Sequence, residues 1–69
     1  MKPKGYPKVK TVRRHVAGED WLMPLYALRP GRGFNPCLDN GVVYFSLDSE
    51  SEALDYARAY AEKEMKRYA

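Results

Sequence analysis

Residues 38–54 read Leu38-Asp39-Asn40-Gly41-Val42-Val43-Tyr44-Phe45-Ser46-Leu47-Asp48-Ser49-Glu50-Ser51-Glu52-Ala53-Leu54. Asn40-Gly41 tolerates the positive φ that a two-residue hairpin turn demands, so it predicts a hairpin between Leu38 and Val42. Residues 42–47 are β-branched and aromatic and read as a strand, with Val43, Phe45 and Leu47 on one face and Val42, Tyr44 and Ser46 on the other. Ser49 followed three residues later by Glu52 forms a capping box, and Asp48 and Glu50 put negative charge at the positive end of a helix dipole. Beyond it Leu54, Ala57, Ala61, Met65 and Tyr68 recur at spacings of 3, 4, 4 and 3, one apolar stripe of a helix over 49–67. Lys63, Lys66 and Arg67 occupy its last turns, where cations are favoured. Ala57 and Ala61 are small enough to let this helix lie close on a sheet.

The residues before this stretch supply that sheet. Residues 8–16 contain Val9, Thr11, Val12 and Val16 and read as a first strand, residues 17–20 as a turn, and residues 21–28 as a second strand. Pro24 has no amide donor, so the second strand is expected at an edge or with a bulge there. Pro30-Gly31 suits the centre of a type II turn, and residues 34–38 form a short third strand that Pro36 interrupts. Residues 1–7, with two prolines, a glycine and two lysines, read as a flexible basic arm. The expected architecture is α+β: one domain over 8–69, a three- to four-stranded antiparallel meander with a single C-terminal helix packed on one face.

A chain of 69 residues holds one core, and a domain of this size buries only about 60% of its unfolded surface. Hydrophobic residues make up 45% of it and aromatics 13%, enough to exclude wholesale disorder. Cys37 is the only cysteine, which rules out an intramolecular disulfide and a Cys-rich metal cluster. Residues 1–8 lack the apolar stretch of a signal peptide. The longest apolar run, residues 21–28, is far short of the roughly 20 residues that span a bilayer. The protein is therefore expected in the cytoplasm, without membrane contact.

Catalytic chemistry has little to build on. His15 is the only imidazole, and it could activate Cys37 only if the fold brought the two together; a small buried thiol and a strand histidine are the simpler assignment. No GxSxG, HExxH, P-loop or GxGxxG pattern occurs. Asp48, Glu50, Glu52 and Asp55 are explained as the start of a helix without a metal. The expectation is a protein that is not an enzyme and takes no cofactor or metal.

Charge is the more informative signal. Residues 1–32 carry eight Lys or Arg against Glu19 and Asp20, a net +6, whereas residues 33–69 carry four against seven, a net −3. The first 15 residues contain no acid. Lys8, Lys10, Arg13 and Arg14 on the first strand, with Arg29 and Arg32 on the glycine-proline loop, form a candidate contact surface, flanked by Trp21 and Phe34 as apolar area. Trp21, Phe45 and Tyr60 are assigned to the core, and Tyr56 to the surface.

Residues 44–53, a strand, a capped turn and an alanine-rich helix start, are similar to the ending of AP2-type DNA-binding domains and of the arm-binding domains of phage integrases. Such a resemblance, over the last third of the chain, implies a three-stranded sheet placed in a DNA groove. The Gly and Arg/Trp pattern of the AP2 reading strands is not evident, and Pro24 and Pro36 interrupt those strands, so the chain is assigned to neither family. The functional expectation is a small accessory protein, of the kind phages and mobile elements carry as inhibitors or modulators. It would bind stoichiometrically to a larger, nucleic-acid-handling protein or nucleoprotein complex. The alternative is a DNA- or RNA-binding module that uses the basic N-terminal half.

Overall fold

The computed structural model describes residues 4–47 and 49–67. Its first element is a long hairpin: β1 (Lys8–Val16) runs antiparallel to β2 (Glu19–Ala27), with Lys8 opposite Ala27 and Val16 opposite Glu19. Ala17 (φ 52°) and Gly18 (φ 80°) alone make the turn. Two successive positive φ values give the twist that antiparallel strands need. Glu19 and Asp20, expected in the turn, therefore lie in the strand, because a two-residue connection leaves its neighbours paired.

The third strand departs most from expectation. Instead of one strand over 34–38 and another over 42–47, the chain makes three short pieces. β3 (Asn35–Pro36) pairs with β2, while β4 (Leu38–Asp39) and β5 (Val42–Val43) form a two-stranded hairpin of their own. The Asn40-Gly41 turn is as expected, with φ of 52° and 81° and Asp39 opposite Val42. Beyond it the chain returns to β2 as an isolated bridge at Ser46, which exchanges backbone bonds with Leu22, each 2.8 Å. The outer edge of β2 is thus paired at 35–37 and again at 46, with the small hairpin standing out between.

Pro24 explains the interruption. It occupies the central strand of the order β1-β2-β3, not an edge, and is fully buried. Its carbonyl accepts the Cys37 N–H at 3.3 Å, so its backbone faces the third strand, where a missing donor matters, and turns away from β1, where it would have broken the long ladder. The Cys37 carbonyl, left without a donor from position 24, accepts the Tyr44 N–H at 2.9 Å. The proline is accommodated by diverting its neighbour.

The helix, α1 (Glu50–Arg67), begins at the expected cap: the Glu52 N–H donates to Ser49 Oγ at 3.2 Å and the Ala53 N–H to the Ser49 carbonyl at 3.0 Å. Asp48 and Tyr68 fall outside the described residues. The helix lies against β1 and β2 through Ala53, Ala57 and Ala61, all essentially inaccessible. The expected stripe is thereby rotated: Leu54 and Met65 are only half-buried. Large side chains flank the line of contact. Tyr60 tilts on Tyr26 (centroids 5.0 Å, 52°) and Tyr56 stacks on Tyr44 (3.9 Å, 12°). Between two aromatic pairs only methyl groups fit, so the alanines set the axis. Tyr56, expected at the surface, is a half-buried partner in that stack, whereas Phe45, expected in the core, is 39% exposed. Trp21 and Tyr60 are half-buried.

Candidate binding surface

Strand alternation divides the sheet residues between two faces. The tyrosine contacts place the helix over Tyr26, and hence over Leu22 and Pro24 of β2. Opposite these in register stand Arg13, Thr11 and Val9 of β1. Trp21, Met23, Leu25 and Ala27 lie on the other, open face. There they stand opposite Arg14, Val12, Lys10 and Lys8.

Five of the eight expected contact residues meet on this open face. Lys8, Lys10, Arg14 and Trp21 share it by register. Phe34 joins them because the Lys10 ammonium sits 4.4 Å from its ring centroid, close enough for a cation–π contact. Lys8 makes a similar, longer approach of 5.0 Å to Tyr6. Leu25 and Ala27, opposite Lys10 and Lys8, are buried on this face, and Pro36 stands opposite Leu25 on the other side of β2.

Arg13 is not part of the cluster. Its partner Leu22 is on the helix side, so the two consecutive arginines point to opposite faces. Arg29 and Arg32 line a separate cleft of about 550 Å³ with Tyr26, Leu28 and Asn35, at the far end of β2 from Trp21.

Sequence reasoning missed the other end of the open face. Val16, Ala17, Glu19, Trp21 and Phe45 line a groove of about 280 Å³ beside the hairpin tip. Phe45 meets Trp21 edge to face (6.5 Å, 79°), and Val16 is 55% exposed. The hairpin register, once the Ala17-Gly18 turn is recognised, is the signal that gathers Val16 and Trp21; only the Ser46 bridge brings in Phe45.

The two candidate catalytic groups do not meet. His15 Nδ1 lies 2.7 Å from Asp20 Oδ1 near the tip, on the β1 flank of β2. Cys37 sits on the opposite flank, at Pro24, about 13 Å further along the strand at the usual rise per residue. Cys37 is wholly buried, and desolvation pushes its thiol up to about 11, so it is not a ready nucleophile at neutral pH. Burial also raises the Tyr56 and Tyr60 phenols above their ordinary value, with Asp39 adding to the effect at Tyr56 and Glu64 at Tyr60. Among the described residues no three His, Cys, Asp or Glu side chains gather as metal ligands, and no helix is long and apolar enough to cross a membrane. Comparison with protein-family models, curated proteins and solved structures finds no match to this chain.

Proposed function

We propose that the protein acts by stoichiometric binding, without chemistry of its own, and that the open sheet face docks on a carboxylate-rich surface of a larger protein. The observation that carries this reading is the convergence of Lys8, Lys10 and Arg14 with Trp21 and Phe34 on one uncovered face, beside the Val16–Phe45 groove. Exposed aromatic and aliphatic groups rimmed by charge have the composition of an interface: the apolar part supplies area, and the cations set encounter rate and orientation. Among the described residues no carboxylate pairs with Lys8, Lys10 or Arg14, which leaves them available to a partner. A nucleic-acid-handling enzyme is a fitting target, since such enzymes cluster carboxylates to hold their metal ions.

A second reading, direct binding of DNA or RNA, draws on the same cations and on aromatic rings able to stack on bases. The aliphatic Val16 and Ala17 in the groove disfavour it, because a nucleic acid has no aliphatic side chain to pack against them.

Trp21 is the only tryptophan, so its fluorescence reports on this face directly. Short duplex and single-stranded DNA and RNA are expected to leave its emission unchanged at physiological salt. A partner retained from source-cell lysate by the wild-type chain should be lost with Lys10→Glu/Arg14→Glu and with Trp21→Ala. Quenching by nucleic acid that weakens steeply with salt would establish the second reading. Retention of the same partner by both variants would remove the face from consideration.

A further inference from the structure

The open face ends at a strand edge whose backbone is unused. A two-residue turn makes Val16 and Glu19 a hydrogen-bonded pair, and alternation then directs the N–H and C=O of Lys8, Lys10, Val12, Arg14 and Val16 toward β2. The Leu22 and Pro24 bonds to the third strand confirm that parity from the other side of β2. The N–H and C=O groups of Val9, Thr11, Arg13 and His15 therefore point outward from β1, which is the terminal strand of its sheet. Among the described residues no backbone group bonds to them. Such a row is a template for another strand.

The side chains say which strand it accepts. β1 contains Lys8, Lys10, Arg13 and Arg14 and no acid. Glu19 and Asp20 of β2 stand only opposite Val16 and His15, so they neutralise the tip and leave the rest of the strand cationic. A second copy of the chain is a poor occupant. Antiparallel self-pairing centred on Val12 sets Lys10 against Arg14, centring on Thr11 sets Lys8 against Arg14, and centring on Arg13 sets that residue against itself. Like charges directly opposite one another destabilise a ladder. A nucleic acid is no better, since it offers no alternating row of amide donors and acceptors at the strand repeat.

We infer that the β1 edge binds an extended, acidic protein segment by strand addition, the backbone groups of Val9, Thr11, Arg13 and His15 forming the ladder and Lys8, Lys10 and Arg14, which share the open face, selecting carboxylates. Main-chain bonds supply affinity in this mode and alternate side chains supply specificity. The inference rests on the proposed binding role and adds to it the conformation of the bound segment.

The test uses a capped (Glu-Val)4 peptide, with a (Lys-Val)4 peptide as the control, and amide hydrogen exchange resolved by residue. In the free protein the amides of Val9, Thr11, Arg13 and His15 should exchange quickly and those of Lys10, Val12 and Arg14 slowly. The acidic peptide should slow the first set at least tenfold, and the basic peptide should not. The variant Thr11→Pro removes one outward N–H while leaving the β1–β2 ladder intact, a substitution an edge strand tolerates. It should fold, with unchanged circular dichroism, and bind the acidic peptide at least tenfold more weakly. Equal protection by both peptides, or undiminished binding by Thr11→Pro, would overturn the inference. A partner lost with Trp21→Ala but held by Thr11→Pro would leave the open-face reading standing and dismiss the strand addition alone.

Discussion

The two faces of the β1–β2 hairpin are built from alternate residues of the same strands, yet they meet different surroundings. On one side Leu22, Pro24 and Tyr26 lie beneath a helix whose three alanines are essentially inaccessible. On the other, Trp21 and Phe45 meet at the surface, and Leu25 and Ala27 stand opposite Lys10 and Lys8. The described residues form one helix, and it closes one face of the sheet. An antiparallel sheet with a solvated face usually makes that face polar. Here the solvated face keeps aromatic and aliphatic groups and surrounds them with cations, and this departure singles it out as the surface on which the proposed binding depends.

Substitutions should separate the two faces in size of effect. Ala57→Glu on the closed face forces an unpaired carboxylate into the tightest contact, at a penalty of about 4 kcal/mol or more. A domain of this size has only a few kcal/mol of stability to lose, so the variant should show no cooperative melting by circular dichroism. A normal melt would mean the helix does not seal that face.

Cys37 provides a pH probe of the same side. Its thiol is raised from 9.0 to about 11 by burial, so the folded state holds its proton where the unfolded chain releases it. The contribution is fully present below pH 9 and is lost as pH rises toward 11, by about 2–3 kcal/mol for a shift of that size. Chemical denaturation at pH 8, 9, 10 and 11 should show this decline. Cys37→Ala should flatten part of it, leaving the slope from Tyr56 and Tyr60, whose raised values act in the same direction above the ordinary tyrosine range. An unchanged slope in Cys37→Ala would place the thiol in contact with solvent.

At the hairpin tip, where residues 16–20 are exposed, Ala17 holds a φ of 52° that Asn adopts more readily. Ala17→Asn copies the Asn40-Gly41 turn and should raise stability by roughly 0.5–1 kcal/mol. The smallest effect belongs to the open face itself: Lys10→Glu/Arg14→Glu should alter stability by no more than about 0.5 kcal/mol. A large loss there would show that the cations hold the fold together, and would make any loss of binding uninterpretable.

Much of this was legible from local chemistry. The Asn40-Gly41 turn, the Ser49 cap and the long helix each depend on residues within a few positions of one another, and each stands where the sequence puts it. What was not legible depended on distant partners. The helix stripe slipped from Leu54 to Ala53 because Tyr26 and Tyr44, from other elements, supply the walls for Tyr60 and Tyr56. Phe45 moved to the surface because the bridge at Ser46 fixes which way its neighbours point. In the candidate surface, adjacency in sequence misled: Arg13 and Arg14 look like one patch, and alternation sends them to opposite sides.

The divided third strand also bears on how the chain reaches this structure. For Ser46 to find Leu22 after Cys37 has docked on Pro24, the segment between residues 37 and 46 must close as a loop. Closing a flexible loop costs entropy that grows with its length. The small hairpin removes most of that length, because β4 pairs with β5 across their own turn and the Cys37–Tyr44 bond draws the two ends together. Hairpins form in about 1–10 μs, fast enough to close the spacer locally as docking proceeds. Gly41→Val, which strains the turn at a φ of 81°, should accordingly slow refolding in stopped-flow experiments as well as weaken the native state.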